Sequence, residues 1–155
     1  MAKTWKDAEI SLDPIKDQII AVIGYGIQGD AQANNMKDSG LKVIVGLREG
    51  SPTWNKAKDD GHEVMSVADA TKQADIVHIL LPDMVQAKVY KEEIAPNLSE
   101  GKALSFSHAA AIYWKWIDAP ENVDLIMVAP KGPGSKVRET YLQNFGTPSI
   151  VAVEQ

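Results

Sequence analysis

Three glycines, Gly24, Gly26 and Gly29, stand at GxGxxG spacing directly after the apolar run Ile19-Ile20-Ala21-Val22-Ile23. That pattern suits a dinucleotide's pyrophosphate. Gly24 permits a tight strand-to-helix turn, Gly26 lets backbone approach the phosphates, and Gly29 lets the helix pack closely on the strand. The helix they open offers unpaired N–H groups and the positive end of its dipole. Beyond the second apolar run come Arg48, Ser51 and Thr53. A site for NAD usually carries an acidic residue here, to hold the ribose hydroxyls. A cation and two hydroxyls fit a 2′-phosphate, and hence NADP. Glu49 weighs mildly against that choice, and a solvated arginine beside an ordinary N-cap serine is the alternative.

Two more side chains have types and places suited to proton or charge chemistry. His108 follows a predicted strand in Phe106-Ser107-His108-Ala109. It fits a proton donor or a substrate orienter, and equally a half-buried histidine making one hydrogen bond. Lys131 follows a later strand and fits either stabilisation of substrate negative charge or plain solvation. His78 lies inside an apolar strand and reads as structural, and His62, after a helix-stopping glycine, reads as a surface residue.

The elements that must position these residues alternate along the chain. Apolar runs predict strands at 19–23, 42–47, 63–65, 75–81, 103–107, 123–128 and 148–153. Helices are expected from 27 to 39, to about 60, from 66 to 73, from 83 to 94, briefly to 116, and from 136 to 144. Ser51 is expected to cap the second helix with Pro52 in its first turn, Ser66 and Asp69 to form a capping box, and Asp83 to cap the fourth. The first of these helices is unusually polar, with Asp30, Gln32, Asn34 and Asn35. A lead-in over 1–18 is expected to lay Ile10, Leu12 and Ile15 on the domain edge. Strand–helix alternation means βαβ units with right-handed crossovers. The fold class is α/β: one Rossmann-like domain over 1–155, a doubly wound, mostly parallel sheet of about seven strands with helices on both faces. Ligands of such sheets bind outside the carboxyl ends of the strands, here loops 24–29, 46–53, 82–86, 107–111 and 130–135.

Composition excludes several other classes. The 155 residues are 45% hydrophobic and 24% charged, ordinary for a globular domain. The net charge of −5, with no basic block, argues against nucleic acid or an anionic membrane as partner. The absence of cysteine rules out disulfides, thiolate catalysis and Cys-ligated metal, and fits a cytoplasmic setting. No apolar run approaches the ~18 residues of a membrane span. The first residues lack a signal peptide's apolar region.

These motifs together resemble the N-terminal domain of ketol-acid reductoisomerase (acetohydroxyacid isomeroreductase). The likeness is carried by Ala21-Val22-Ile23-Gly24-Tyr25-Gly26-Ile27-Gln28-Gly29, Val45-Gly46-Leu47-Arg48-Glu49-Gly50-Ser51, Leu80-Leu81-Pro82-Asp83-Met84-Val85-Gln86, Phe106-Ser107-His108 and Met127-Val128-Ala129-Pro130-Lys131-Gly132-Pro133-Gly134. The family isomerises 2-acetolactate or 2-aceto-2-hydroxybutyrate by an Mg²⁺-dependent alkyl shift, then reduces the product with NADPH, in valine and isoleucine biosynthesis. The resemblance implies that Tyr25, Gly26, Ile27 and Gln28 contact the dinucleotide phosphates and that Arg48, Ser51 and Thr53 hold the 2′-phosphate. It implies that Asp83, Met84, Val85, Gln86 and Gly134 line the cofactor, that His108 is the active-site histidine, and that Lys131 lies beside the metal–substrate site.

Three departures from the family pattern stand out. The chain stops where the family's all-helical second domain is expected, and that domain supplies the carboxylates for Mg²⁺. None of the metal ligands is therefore expected in this chain, which should not complete the reaction alone. Asp30 places an anion at the helix start, awkward beside a pyrophosphate. Ala109 stands where the family has glycine, and is strained if that position needs a positive φ. An excised or standalone cofactor domain is one reading. A diverged or engineered non-catalytic interaction module is another, with Tyr113, Trp114 and Trp116 as a homo-oligomer or partner surface. Those rings fit better a face that covers the sheet or packs on the absent domain.

Overall fold

The computed structural model describes residues 3–6 and 9–155. Six strands run parallel: β1 (Ile19–Ile23), β2 (Lys42–Gly46), β3 (Glu63–Met65), β4 (Ile76–Ile79), β5 (Ala103–Phe106) and β6 (Asp124–Pro130). The seventh, β7 (Ser149–Val153), pairs antiparallel with β6. The sheet order is β3-β2-β1-β4-β5-β6-β7, so the order reverses direction at β1 and β4. A crevice opens at such a reversal, which is where doubly wound sheets bind ligands.

Among the described residues six α-helices connect the strands: α1 (Ile27–Asp38), α2 (Trp54–Asp59), α3 (Val67–Gln73), α4 (Asp83–Val89), α5 (Ala110–Tyr113) and α6 (Gly134–Leu142). Each sheet face has its own core, because alternate strand residues point to opposite faces. Ala21, Ile23, Val77, Ile79, Leu104 and Phe106 pack with Val67 and Ala70 of α3. Val22 and Val45 pack on the other face with Ala33 of α1 and Ala57 of α2.

His78 interrupts the apolar run of β4 because of the face it meets. It is paired in register with Val22 and Ser105, on the face that α1 covers. There its ring is buried, with Nδ1 2.8 Å from Ser105 Oγ and Nε2 2.9 Å from Gln32 Oε1 of α1. Burial pushes its pKa down from 6.5 to about 4. The unfolded chain therefore binds a proton that the folded chain refuses between those values. Stability is full above pH 6.5 and is lost as pH falls toward 4. Between pH 7 and pH 5 this histidine alone should cost about 2 kcal/mol. Urea unfolding of wild type and His78→Gln at both pH values checks it; equal pH slopes in the two proteins would refute the assignment.

Several local expectations change. Ile10 and Leu12 are 59% and 44% exposed, so of the lead-in's apolar trio only Ile15 is partly covered. Ser51 does not cap α2. Thr53 holds that position, and a turn closed by Trp54 N–H on Ser51 C=O precedes the helix. Asp83 is the first residue of α4, with Pro82 before it, and the helix widens into a π-helical stretch over Tyr90–Ile94. Strand β4 is shorter than the apolar run 75–81, and α5 ends at Tyr113 rather than running to 116. Ser66 does cap α3 by accepting from Asp69 N–H at 3.1 Å. Among the described residues no helix is long and apolar enough to cross a membrane.

Candidate functional site

The β1–α1 turn is built for close approach. Gly24 has φ +99°, and a side-chain carbon there would meet Leu80 C=O at 3.0 Å. A Cβ on Gly29 would sit 2.2 Å from the Gly24 carbonyl oxygen, so only glycine lets α1 pack this near β1. Gly26 differs: a Cβ there meets nothing within 4 Å. Its missing side chain leaves free space in front of the helix. No side chain caps α1, so its first-turn N–H groups are left to a ligand.

This turn forms one wall of a cleft of about 600 Å³. Arg48, Ser51 and Thr53 also line it, and Val67, Leu80, Leu81 and Val89 give it an apolar side. Among the described residues Arg48 makes no ion pair, so its charge is available. A neighbouring cavity of about 190 Å³ is lined by Gln28, Leu80, Leu81, Asp83, Gln86, Ser107 and His108. Gln28, Leu80 and Leu81 belong to both spaces and mark the passage between them.

Gln86 is 5% exposed. Its Nε2 donates to Leu81 C=O at 2.7 Å, while its Oε1 is buried without a partner. An orphaned acceptor on a cavity wall fits a ligand donor. His108 is exposed, and its Nδ1 accepts from Ala110 N–H at 3.2 Å. The neutral ring thus carries its proton on Nε2, which is left as a donor.

The remaining expected residues are placed elsewhere. Tyr25 is buried, and its phenol points away from the turn: it donates to Asp60 at 2.7 Å and accepts from Asn34 at 3.0 Å. Burial, reinforced by Asp60, pushes that phenol far above its ordinary pKa. Only its backbone is free to serve phosphates. Met84 is 92% exposed, and neither it nor Val85 lines either space. Gly134 is a packing residue, since a Cβ there would lie 2.2 Å from Ile27 C=O. Lys131 is exposed, and its N–H joins Pro148 C=O at 2.8 Å.

Two expected tensions disappear. Asp30 does not face the phosphate turn. It pairs with Lys56 at 3.0 Å and accepts from Asn34 at 2.8 Å, and Lys56 also reaches Asp60 at 2.6 Å. The hydrogen bond from Lys56 holds the Asp60 carboxyl below its usual range. Ala109 has φ −82° and is unstrained. His62 is not at the surface: it is 5% exposed and edge-on to Tyr25, with Nε2 3.1 Å from Asn34 Oδ1. Desolvation lowers its pKa, so it too is held neutral. The apolar wall of Val67, Leu80, Leu81 and Val89 was missed from sequence; the place of Leu80 and Leu81, just past β4, was the available signal.

Comparison with known proteins agrees with this geometry. A family profile described as acetohydroxy acid isomeroreductase, NADPH-binding domain, matches residues 14–155. A Nitrosopumilus maritimus protein named ketol-acid reductoisomerase (NADP(+)) is 83% identical over all 155 residues, which cover 47% of that protein. Its namesake from Methanocaldococcus jannaschii is 57% identical over the same span and share. The chain thus spans about half the length of the curated relatives it matches. A solved NADH-preferring ketol-acid reductoisomerase from an uncultured archaeon superposes with a TM-score of 0.93 at 51% identity, covering 96% of this chain and 46% of that one.

Proposed function

Since the chain belongs to the acetohydroxy acid isomeroreductase (ketol-acid reductoisomerase) family, matching its NADPH-binding domain, we propose that the cleft between the β1–α1 turn and Arg48 holds NADP(H). The observation that carries this reading is the pairing, in one cleft, of an open Gly26 cradle with an Arg48 that makes no ion pair among the described residues. The pyrophosphate lies on the backbone of residues 24–29 and the 2′-phosphate on Arg48, Ser51 and Thr53. The reactive ring extends past Gln28 toward Gln86 and His108. Gln86 Oε1 accepts from the ring's amide, and His108 Nε2 donates to substrate oxygen. When bound, the cofactor supplies a hydride.

For the whole protein we propose the family's reaction: isomerisation of 2-acetolactate or 2-aceto-2-hydroxybutyrate followed by NADPH reduction, in valine and isoleucine biosynthesis. Lys131, exposed at the end of β6, faces the substrate side in this proposal. Among the described residues no group of three or more His, Cys, Asp or Glu is placed to hold a metal ion. The residues present do not fit a complete Mg²⁺ site, so the alkyl shift needs ligands from the rest of the protein. The exposed Tyr113, Trp114 and Trp116 fit a surface that this remainder covers; a homo-oligomer contact uses the same rings.

Cofactor binding is tested on the chain itself. Titration with NADPH, read by cofactor fluorescence, should saturate with a Kd below about 1 mM. NADH titrated in parallel should bind more weakly. No response to millimolar NADPH would sink the reading, and tighter binding of NADH would overturn the assignment to Arg48.

A further inference from the structure

The polar side chains under the β1–α1 turn form one directional chain. Gln28 Nε2 lies 3.0 Å from Gly132 C=O, which can only accept, so Gln28 turns its Oε1 toward Gln32. Gln32 must then present Nε2, at 3.0 Å from Gln28 Oε1 and 3.1 Å from Ser107 Oγ. Its own Oε1 therefore faces His78 Nε2 at 2.9 Å, and that nitrogen carries the ring proton. His78 Nδ1 is left to accept from Ser105 Oγ at 2.8 Å. Ser107 Oγ donates to Val128 C=O at 2.9 Å. One carbonyl thus fixes the orientation of two amides and one imidazole.

The chain crosses the sheet between the parts that must stay in register. Gln28 belongs to the first glycine-rich turn, Gly132 to the second, and Ser107 immediately precedes His108. Gln28 also stands where the two cavities meet. Its amide gives one N–H to Gly132 C=O and its oxygen accepts from Gln32, which fixes its orientation at that junction.

We propose that Gln32 and His78 are positioning residues, which lock Gln28 and Ser107 so that the two glycine-rich turns and the His108 strand end hold the pyrophosphate and reactive-ring half of the bound dinucleotide. This rests on the cofactor reading above. A proton on His78 Nε2 is essential to it, since Gln32 turns only its Oε1 toward the ring. The Arg48 end of the cleft lies outside the chain of bonds.

The test compares two ligands on the same protein. NADPH spans the whole cleft, while adenosine 2′-monophosphate, which lacks any part of the pyrophosphate, reaches only the Arg48 end. Gln32→Glu keeps the shape but removes the donors to Gln28 and Ser107, and Gln32→Leu removes the amide altogether. Either variant should weaken NADPH about tenfold and leave the 2′-monophosphate within about twofold. If Gln32→Leu fails to fold, Gln32→Glu still decides. Equal loss of both ligands, or no loss of NADPH, overturns the positioning role while leaving the cofactor reading intact. A wild-type chain that binds neither ligand removes both. The ¹⁵N spectrum of wild-type His78 should show a neutral ring protonated on Nε2, and an Nδ1–H ring would break the chain of bonds proposed.

Discussion

Gly26→Ala should fold normally and lose tight NADPH binding, whereas Gly29→Ala should damage the fold itself. The two glycines are three residues apart in one motif, yet they are glycine for different reasons. Gly26 has φ −80°, a conformation any residue adopts, and a methyl group there touches no protein atom. Its melting temperature should stay within about 2 °C of wild type. The added methyl would occupy the space that a pyrophosphate needs beside the helix, and binding should fall by at least tenfold and up to about a hundredfold. At Gly29 the methyl would lie 2.2 Å from a backbone oxygen, so α1 must move off β1. Overpacking that displaces backbone costs about 3 kcal/mol or more, which for a domain of this size lowers the melting temperature by roughly 10 °C. Thermal melts and NADPH titrations of both variants check the contrast. A Gly26→Ala protein that binds as wild type does would show that nothing approaches that turn.

Arg48→Glu should invert the coenzyme preference. Arg48 lines the cleft together with Ser51 and Thr53, whose hydroxyls are 3.2 Å apart. A 2′-phosphate there gains a charge-assisted hydrogen bond, worth roughly twice a neutral one. Glutamate removes that bond and sets like charges against each other, while offering an acceptor to the ribose hydroxyls of NADH. NADPH should weaken about a hundredfold, and NADH should stay within about threefold. Paired titrations give the ratio of the two constants. An unchanged ratio would place the 2′-phosphate elsewhere.

The polar face of α1 shows where reading the chain alone stops. In sequence, Gln32, Asn34 and Asn35 show only that the helix is unusually polar. In the fold each of them is spent on partners far along the chain: Gln32 on Ser107 and His78, Asn34 on His62, and Asn35 on Val137 C=O and Arg138. Asp30 likewise looks like a charge aimed at the phosphates, and pairs instead with Lys56 of the next helix. Its side chain leaves the helix on the face toward α2, a direction that motif spacing does not encode. His62 looked exposed because a glycine precedes it, and packing against Tyr25 buried it.

The sequence by itself determined the alternation of strands and helices, the glycine turn, and the identities of Arg48, Ser51, Thr53 and His108 at the carboxyl edge. Those features are local: each follows from periodicity, from backbone freedom at one residue, or from position just past a strand. The tertiary structure decided how close the neighbours of those glycines come, 2.2 Å from a Cβ at Gly29 and nothing within 4 Å at Gly26. It also decided that Tyr25 and Gly134 serve the scaffold, that Gln86 keeps an unpaired acceptor, and that His78 stays neutral at the base of the site. These depend on which groups long-range packing brings within a few ångströms, and on whether burial leaves a polar atom a partner.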